Sequence, residues 1–202
     1  MSDVIPPKSI CVFCGSSAGD APKYGELAEN TGYAISQRKY RFVYGGGSFG
    51  LMGKSSKAAF DNGGKVLGII PEFLVRQEGS FDEAEQIIVP NMHVRKMKMY
   101  EESDGFIVLP GGIGTIEEAV EMLSWMRLQL HQKPLVFLSD NQYWDPLLNL
   151  VRHTISKGFT PEWMNEELLS ADTADTALDM MEAYWANPKN ERSIWVDYAD
   201  VV

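Results

Sequence analysis

The chain has 202 residues, of which 45% are apolar and 23% are charged, and its formal net charge is −10. This composition predicts one globular domain over residues 1–202, with tails at 1–8 and 187–202. The negative charge argues against a nucleic-acid partner, because such proteins usually carry a basic face. No apolar stretch reaches the roughly 18 residues that cross a membrane. Residues 1–8 lack an apolar signal core, so we expect a cytoplasmic protein without a membrane partner.

The first predicted element is a buried strand from Ser9 to Phe13, followed by the small-residue turn Cys14-Gly15-Ser16-Ser17. Cys11 and Cys14 have the C-x-x-C spacing of redox proteins. They belong to a strand-like run, however, and not to a helix start, where a thiol of low pKa is expected. A redox role is therefore a minor alternative, and the cytosol is the default compartment.

The rest of the chain alternates predicted helices and strands. Helices are predicted over residues 22–37, about 54–62, 91–103, 119–130, about 144–157 and 173–186. Strands are predicted over 41–44, 65–70, 87–89, 105–109, 134–138 and 167–171, and residues 72–86 are predicted as loop with a short helix. This alternation predicts an α/β fold, a Rossmann-like doubly wound parallel sheet with helices on both faces. Ligands of such sheets bind at the carboxyl ends of the strands.

The glycine run after the second strand, Gly45-Gly46-Gly47-Ser48-Phe49-Gly50, satisfies the dinucleotide fingerprint G-x-G-x-x-G. Dinucleotide folds place this motif after the first strand, and the expected acidic residue, Glu72, comes only after Pro71. An NAD(P)-binding oxidoreductase is therefore a minor alternative. The structural explanation of the glycine run is that it allows a strand and a helix to pack closely. Gly53-Lys54-Ser55 resembles the end of a P-loop, but Ser48 stands where that signature needs glycine, which excludes it.

Two basic residues, Arg95 and Lys96, open the helix after the fourth strand, where they oppose the helix dipole. Either they form a solvated basic face or they serve a site at this edge of the sheet. His93, His131 and His153 are scattered, with no cysteine or carboxylate at ligand spacing, so no metal is predicted. The Gly-x-Ser-x-Gly elbow of serine hydrolases does not occur in the sequence.

Three glycines in four residues follow the fifth strand, in the segment Leu109-Pro110-Gly111-Gly112-Ile113-Gly114-Thr115. They let a ligand approach the backbone, and the N–H groups at the next helix start favour an anion such as phosphate. Thr115 and Glu118 have the spacing of a capping box, with Thr115 as the N-cap. Glu117 and Glu118 nevertheless add negative charge beside a loop that attracts anions. Either Glu118 only caps the helix, or a glutamate is held there for chemistry.

Three motifs occur in order along the chain: Gly45-Gly46-Gly47-x-x-Gly50-Leu51-Met52-Gly53, Met92-His93-x-Arg95-Lys96 and Pro110-Gly111-Gly112-x-Gly114-Thr115-x-x-Glu118. Together they resemble the LONELY GUY family of cytokinin riboside 5'-monophosphate phosphoribohydrolases, over nearly the whole chain. The resemblance implies a Rossmann-like homodimer that hydrolyses the N-glycosidic bond of a nucleoside 5'-monophosphate. The products are a free base and ribose 5-phosphate, and no metal or organic cofactor is needed.

The resemblance also assigns roles to residues. It implies that Arg95 and Glu118 are catalytic and that the phosphate group lies on residues 111–115. The substrate contacts that it implies are Ser16, Gly46, Gly47, Met52, Glu78, Arg95, Lys96, Gly111, Gly112, Ile113, Gly114, Thr115, Ile116 and Glu117. A carboxylate at Glu118 suits the positive charge that develops on the ribose, and it can orient or deprotonate water. Arg95 can hold phosphate or form a bidentate pair with Glu118.

Many family members carried the label lysine decarboxylase-like, but nothing in this sequence marks a Schiff-base lysine or a pyridoxal site. The chain departs from the family pattern at Val94, Arg127 and Gln129, where a polar residue, Gln and Gly are common. Because of these departures and the loop from Phe73 to Phe81, the sequence does not decide whether the base is adenine or a cytokinin. It also leaves open whether the protein serves salvage or hormone activation.

Two further expectations concern assembly and turnover. The predicted helix over residues 119–130 has an apolar surplus at Met122, Trp125, Met126 and Leu130, which predicts a second helix partner and hence a homodimer. A non-catalytic carrier of a nucleotide-like ligand is the alternative to the enzyme, because it would share the glycine loops.

Overall fold

A computed structural model describes residues 8–79, 81, 83–139 and 142–187. The strands in this part of the chain are β1 (Ser9–Phe13), β2 (Arg41–Tyr44), β3 (Val66–Pro71), β4 (Glu85–Val89), β5 (Gly105–Val108), β6 (Leu135–Leu138) and β7 (Leu169–Ala171). The α-helices are α1 (Pro22–Gln37), α2 (Gly50–Asp61), α3 (Glu72–Glu78), α4 (Met92–Glu101), α5 (Ile113–Arg127), α6 (Asp145–Ser156) and α7 (Ala174–Ala186). A 3-10 helix, Glu162–Glu167, precedes β7.

All seven strands are parallel and form one sheet in the order β4-β3-β2-β1-β5-β6-β7. β1 pairs with β2 on one side and with β5 on the other, so that Cys11 lies opposite both Val43 and Phe106. The chain therefore winds outwards in both directions from β1, which confirms the predicted doubly wound α/β fold. The order reverses between β1 and β5, and the carboxyl ends of these strands form the crevice where such folds bind ligands.

Side chains at alternate positions of the strands fill two cores on opposite faces of the sheet. On β1, Ile10 and Val12 pack towards α1, α2 and α7, whereas Cys11 and Phe13 pack towards α4, α5 and α6. These four side chains are at most 3% exposed. Strands covered on both faces are continuous apolar runs, which is why the sequence identified them. Among the described residues, no helix is both long enough and apolar enough to span a bilayer.

The apolar surface of α5 differs from the sequence prediction. Met122 and Met126, predicted as part of a surplus for a second helix, are 1% and 3% exposed in the core of this chain. Leu130, predicted as part of the same surplus, is 63% exposed as expected, and Val120 is 42% exposed. The apolar face left on this side of the molecule is therefore smaller than predicted, because α5 uses most of its apolar side chains against its own sheet.

Helices α1 and α2 pack closely because glycine replaces a side chain between them. A Cβ atom added at Gly32 of α1 would overlap the carbonyl oxygen of Ser55 and would lie 2.9 Å from the backbone nitrogen of Ala59. A Cβ atom added at Gly25 of the same helix would meet only the end of the Lys54 side chain, 2.9 Å from Cε. Backbone cannot move aside, whereas a lysine side chain can.

We therefore predict that Gly32→Ala lowers the free energy of unfolding by about 1–3 kcal/mol, the usual cost of overpacking. Gly25→Ala is the matched control in the same helix. Lys54 can swing away there and alanine favours helix by up to about 1 kcal/mol, so stability stays equal or rises. Urea denaturation measures both variants. Equal stabilities of the two would show that α2 yields to the added methyl group.

Candidate active site

A cavity of about 440 Å³ lies at the carboxyl ends of β1, β2 and β5. Its walls come from the turn after β1, from Gly45 after β2, and from the glycine segment after β5, with further side chains from α1, α2 and α4. This volume is within the range of small-molecule sites, about 300–1,000 Å³. The cavity thus occupies the crevice where the strand order reverses, as the topology predicts.

Backbone hydrogen bonds fix the segment between β5 and α5. The N–H group of Leu109 donates to the carbonyl oxygen of Phe13 at 2.9 Å, and the N–H group of Gly15 donates to that of Pro110 at 3.1 Å. The hydroxyl group of Tyr143 donates to the carbonyl oxygen of Gly111 at 2.8 Å. This edge of the cavity is therefore held from both sides before any ligand arrives.

Helix α5 begins at Ile113, and Gly112 is its N-cap. Ile116 makes the bond back to the carbonyl oxygen of Gly112, at 3.0 Å, so the N–H groups of residues 113–115 have no acceptor within the helix. A Cβ atom added at Gly112 or Gly114 would meet no atom of the described residues within 4 Å. Open space in front of such donors, at the positive end of a helix, is suited to an anion.

The predicted capping box at Thr115 and Glu118 is wrong. Thr115 lies inside the first turn of α5, not at the N-cap, and a Cβ atom added at Gly111 would overlap its Oγ1 atom. Glu118 lies in the second turn and forms part of the cavity wall, although it is only 9% exposed. Capping of α5 therefore does not account for Glu118.

Arg95 is a charged residue that is only 6% exposed. Its Nε atom donates to the carbonyl oxygen of Ile69 in β3 at 3.2 Å, and its Nη2 atom donates to that of Gly45 at 3.1 Å. A Cβ atom added at Gly45 would overlap Nη2, so glycine makes room for the guanidinium group at the end of β2. These carbonyl groups hold a permanent positive charge against the cavity.

Two further glycines after β2, Gly50 and Gly53, serve packing. A Cβ atom added at Gly50 would overlap the backbone of Ser16, and one added at Gly53 would overlap the carbonyl oxygen of Ser48. The structural alternative to a dinucleotide fingerprint therefore accounts for these glycines.

The electrostatic field of the site reaches the thiol of Cys11 in β1. Burial raises the pKa of Cys11 well above its usual value, and the charge of Glu118 raises it further, while Arg95 lowers it. Cys11 and Cys14 are both buried and form no disulfide with each other. A thiol held protonated in this way is unsuited to redox chemistry, in agreement with the sequence analysis.

Most of the residues that the resemblance assigned come together at the cavity. Those that line it are Ser16, Met52, Arg95, Gly111, Gly112, Ile113, Gly114, Thr115, Glu117 and Glu118.

Five of the assigned residues lie elsewhere or are not fully described. Lys96 faces α5, where Nζ lies 2.5 Å from Glu117 Oε1 and 3.0 Å from Glu121 Oε1. Ile116, in the first turn of α5, is partly buried and packs against the core. An added Cβ atom at Gly46 would lie 2.7 Å from Ile70 Cβ, away from the cavity, and Gly47 is buried outside the lining. Glu78 ends α3, and its side chain lies outside the described part of the chain.

Two tyrosines that the sequence analysis missed line the same cavity. Tyr24 comes from α1 and Tyr143 from the loop after β6, and their rings meet edge to face with centroids 5.8 Å apart. Tyr143 follows a strand at the carboxyl edge of the sheet, and this position is the signal that could have identified it.

The histidines do not form a metal site within the described residues, where no group of three or more potential ligands is found. His131 is buried, its Nε2 atom lies 3.0 Å from the carbonyl oxygen of Met122, and its Nδ1 atom accepts from the N–H group of Lys133 at 3.1 Å. Burial lowers the pKa of His131, which favours a neutral ring with the proton on Nε2. It therefore serves the core beside β6.

Comparisons with known proteins give consistent similarities. A family model described as "Possible lysine decarboxylase" matches residues 52–181. A Rhodococcoides fascians protein named cytokinin riboside 5'-monophosphate phosphoribohydrolase is 47% identical over 169 residues, which cover 82% of this chain and 85% of the relative. The Arabidopsis thaliana protein with that name and the suffix LOG3 is 40% identical over 178 residues, which cover 88% of this chain and 83% of the relative.

Solved structures share the fold. The molybdenum cofactor binding protein of Rippkaea orientalis superposes with a TM-score of 0.67 at 20% identity, over 90% of this chain and 99% of that one. At this identity the similarity establishes the architecture alone.

Gly111 and Gly114 differ in the space around them, because an added Cβ atom would overlap Thr115 at Gly111 and meet nothing within 4 Å at Gly114. This difference gives a prediction. Gly114→Ala should leave the free energy of unfolding unchanged or raise it by up to about 1 kcal/mol, because alanine favours helix. Its methyl group takes space beside the free N–H groups, so we expect the affinity for inorganic phosphate to fall by about tenfold, or about 1.4 kcal/mol. Calorimetric titration measures the affinity.

Gly111→Ala is the matched variant, because its methyl group meets Thr115 instead of open space. We expect it to lower the free energy of unfolding by about 1–3 kcal/mol. Wild-type phosphate affinity in Gly114→Ala would place the anion elsewhere.

Proposed function

The chain belongs to the family of cytokinin riboside 5'-monophosphate phosphoribohydrolases, and on this premise we propose that it hydrolyses a nucleoside 5'-monophosphate to a free base and ribose 5-phosphate. The observation that carries the proposal is a single cavity that combines a helix start open to an anion with a buried carboxylate, Glu118, and a buried cation, Arg95. The phosphate group binds at the start of α5, which places the ribose towards the second turn of the helix.

Glu118 acts on the bond between C1' and the base nitrogen. When this bond breaks, both electrons go to the base and positive charge develops on the ribose. A carboxylate fixed in a largely buried wall stabilises that charge more strongly than it would in water. Water then adds to C1', and one of its protons passes to the base nitrogen, with Glu118 orienting the water.

Arg95 supplies a fixed positive charge beside this carboxylate. Its guanidinium group is anchored to Ile69 and Gly45, so it does not need to be ordered when the substrate binds. It steadies either the phosphate group or Glu118, and both roles use the planar donor fork of arginine.

Lys96 acts indirectly, by holding Glu117 at the rim of the cavity. Burial lowers the pKa of Lys96, but its bonds to Glu117 and Glu121 raise the pKa more, so that the net shift is upward. A Schiff-base lysine needs the opposite shift, towards neutrality. Among the described residues, none of those lining the cavity is a lysine. Both observations favour the hydrolase over the decarboxylase that the family model's description mentions.

Base release tests the proposal directly. The purified protein is incubated with AMP and with isopentenyladenosine monophosphate, and free base is measured by chromatography. Release of adenine, of the cytokinin base or of both supports the enzyme and reports which base it accepts. Binding of these nucleotides without any base release would instead support the carrier alternative.

The role of Glu118 gives a sharper prediction. Glu118→Gln keeps the shape of the side chain and removes its charge, so we expect kcat to fall by about 10²-fold or more while KM changes much less. Glu162→Gln, at an exposed position of the 3-10 helix, is the control and should keep wild-type kcat. A folded Glu118→Gln protein with normal kcat and melting temperature would remove Glu118 from the mechanism.

We also propose a cytoplasmic homodimer. The unlinked, buried cysteines support the cytoplasmic compartment.

The apolar side chains that support the dimer lie on α4 and α5, the helices that the ion pairs of Lys96 join. Val94, Met97 and Val120 are 40–43% exposed there. Light scattering should give about twice the chain mass of 22.6 kDa. Met97→Glu combined with Val120→Glu should shift the mass towards the monomer, and a monomeric wild type at micromolar concentration would contradict the proposal.

A further inference from the structure

Two consecutive aromatic residues in the loop after β6 hold the glycine segment from outside. The indole Nε1–H group of Trp144 donates to the carbonyl oxygen of Val108 at 3.0 Å, and the hydroxyl group of Tyr143 donates to that of Gly111 at 2.8 Å. Trp144 is 3% exposed and packs against Phe137 of β6, with ring centroids 5.6 Å apart. The two bonds therefore fasten both ends of residues 108–111 to the loop between β6 and α6.

The ring of Tyr143 is itself supported on two sides. It meets Trp144 edge to face at 4.9 Å and Tyr24 of α1 at 5.8 Å. With these contacts Tyr143 is 38% exposed and forms part of the cavity wall. The hydroxyl group thus reaches Gly111 from a ring whose position two other aromatic residues define.

The bond to Gly111 has a consequence for the anion site. The carbonyl group of Gly111 and the N–H group of Gly112 belong to one trans peptide unit and point in opposite directions. Fixing the carbonyl group therefore fixes the direction of the Gly112 N–H group, directly before the free donors of α5. A segment with three glycines would otherwise sample many backbone conformations.

We propose that Tyr143 is a positioning residue that orders the glycine loop for the phosphate group of the substrate. The inference rests on the proposed function. The single hydroxyl proton of Tyr143 is donated to Gly111, so the group has no further proton for phosphate and acts through the loop. A loop that is already ordered loses less conformational entropy when the ligand binds, and this raises affinity.

Tyr143→Phe removes the hydroxyl group and keeps the ring with its two edge contacts. One neutral hydrogen bond contributes about 0.5–1.5 kcal/mol, so we expect the affinity for inorganic phosphate and for ribose 5-phosphate to fall by about twofold to twelvefold. KM for the nucleoside monophosphate should rise by the same factor with kcat nearly unchanged, because the loop binds substrate and transition state alike. Tyr33→Phe, on the exposed side of α1, is the control and should match the wild type.

The increase in melting temperature that phosphate produces is compared within each variant, which separates binding from any general change in stability. A lower melting temperature with an unchanged response to phosphate would make Tyr143 a purely structural residue and overturn the proposal. An equal loss of kcat with unchanged KM would also overturn it. If the wild type binds phosphate but cleaves no nucleoside monophosphate, the proposed function fails, while the phosphate comparison still decides the role of Tyr143.

Discussion

The hydrogen bonds of one peptide position, Gly15, join the three elements that enclose the cavity. Its N–H group donates to the carbonyl oxygen of Pro110 after β5, and its own carbonyl oxygen accepts from the N–H group of Leu51 at 3.0 Å, at the start of α2. A Cβ atom at Gly15 would lie 3.2 Å from the carbonyl oxygen of Ser17 in the same turn, which is a tight contact, and 3.4 Å from Gly111 Cα, which is ordinary van der Waals contact. The position of the anion site relative to β1 depends on this junction.

Two buried charges lie beside this junction, and stability alone does not explain them. Burying a charge costs several kcal/mol even when it is paired, and apolar residues of similar size often stabilise a protein as well or better. Arg95 limits its cost by donating to carbonyl groups of Ile69 and Gly45, near the carboxyl ends of β3 and β2. Its opposite charge, Glu118, shares the cavity wall. Such a pair suits a reaction that develops charge, because its dipoles are oriented before the substrate arrives.

The sequence predicted the sheet well and the start of α5 poorly, for different physical reasons. Strands such as β1 and β6 are covered on both faces, and their apolar runs need no distant information to identify. The Thr-x-x-Glu pattern at residues 115–118 obeys a real local rule, but Gly112 takes the cap and Thr115 packs on Gly111. The faces of α5 were misassigned because spacing does not show which side the sheet will cover. The roles of Gly45 and Tyr143 depend on partners 50 and 32 residues away, which no local pattern contains.

The glycines around the cavity are of two kinds, which differ in the space that surrounds them. At Gly45 and Gly111 an added methyl group would overlap an atom of the protein, so packing alone requires glycine there. At Gly112 and Gly114 it would meet nothing within 4 Å among the described residues. Gly114 lies inside α5, where glycine costs about 1 kcal/mol relative to alanine. Where packing does not require glycine, the lost stability needs another explanation. The proposed binding of a phosphate group beside the N–H groups at the start of α5 would supply such a reason, because it needs this space.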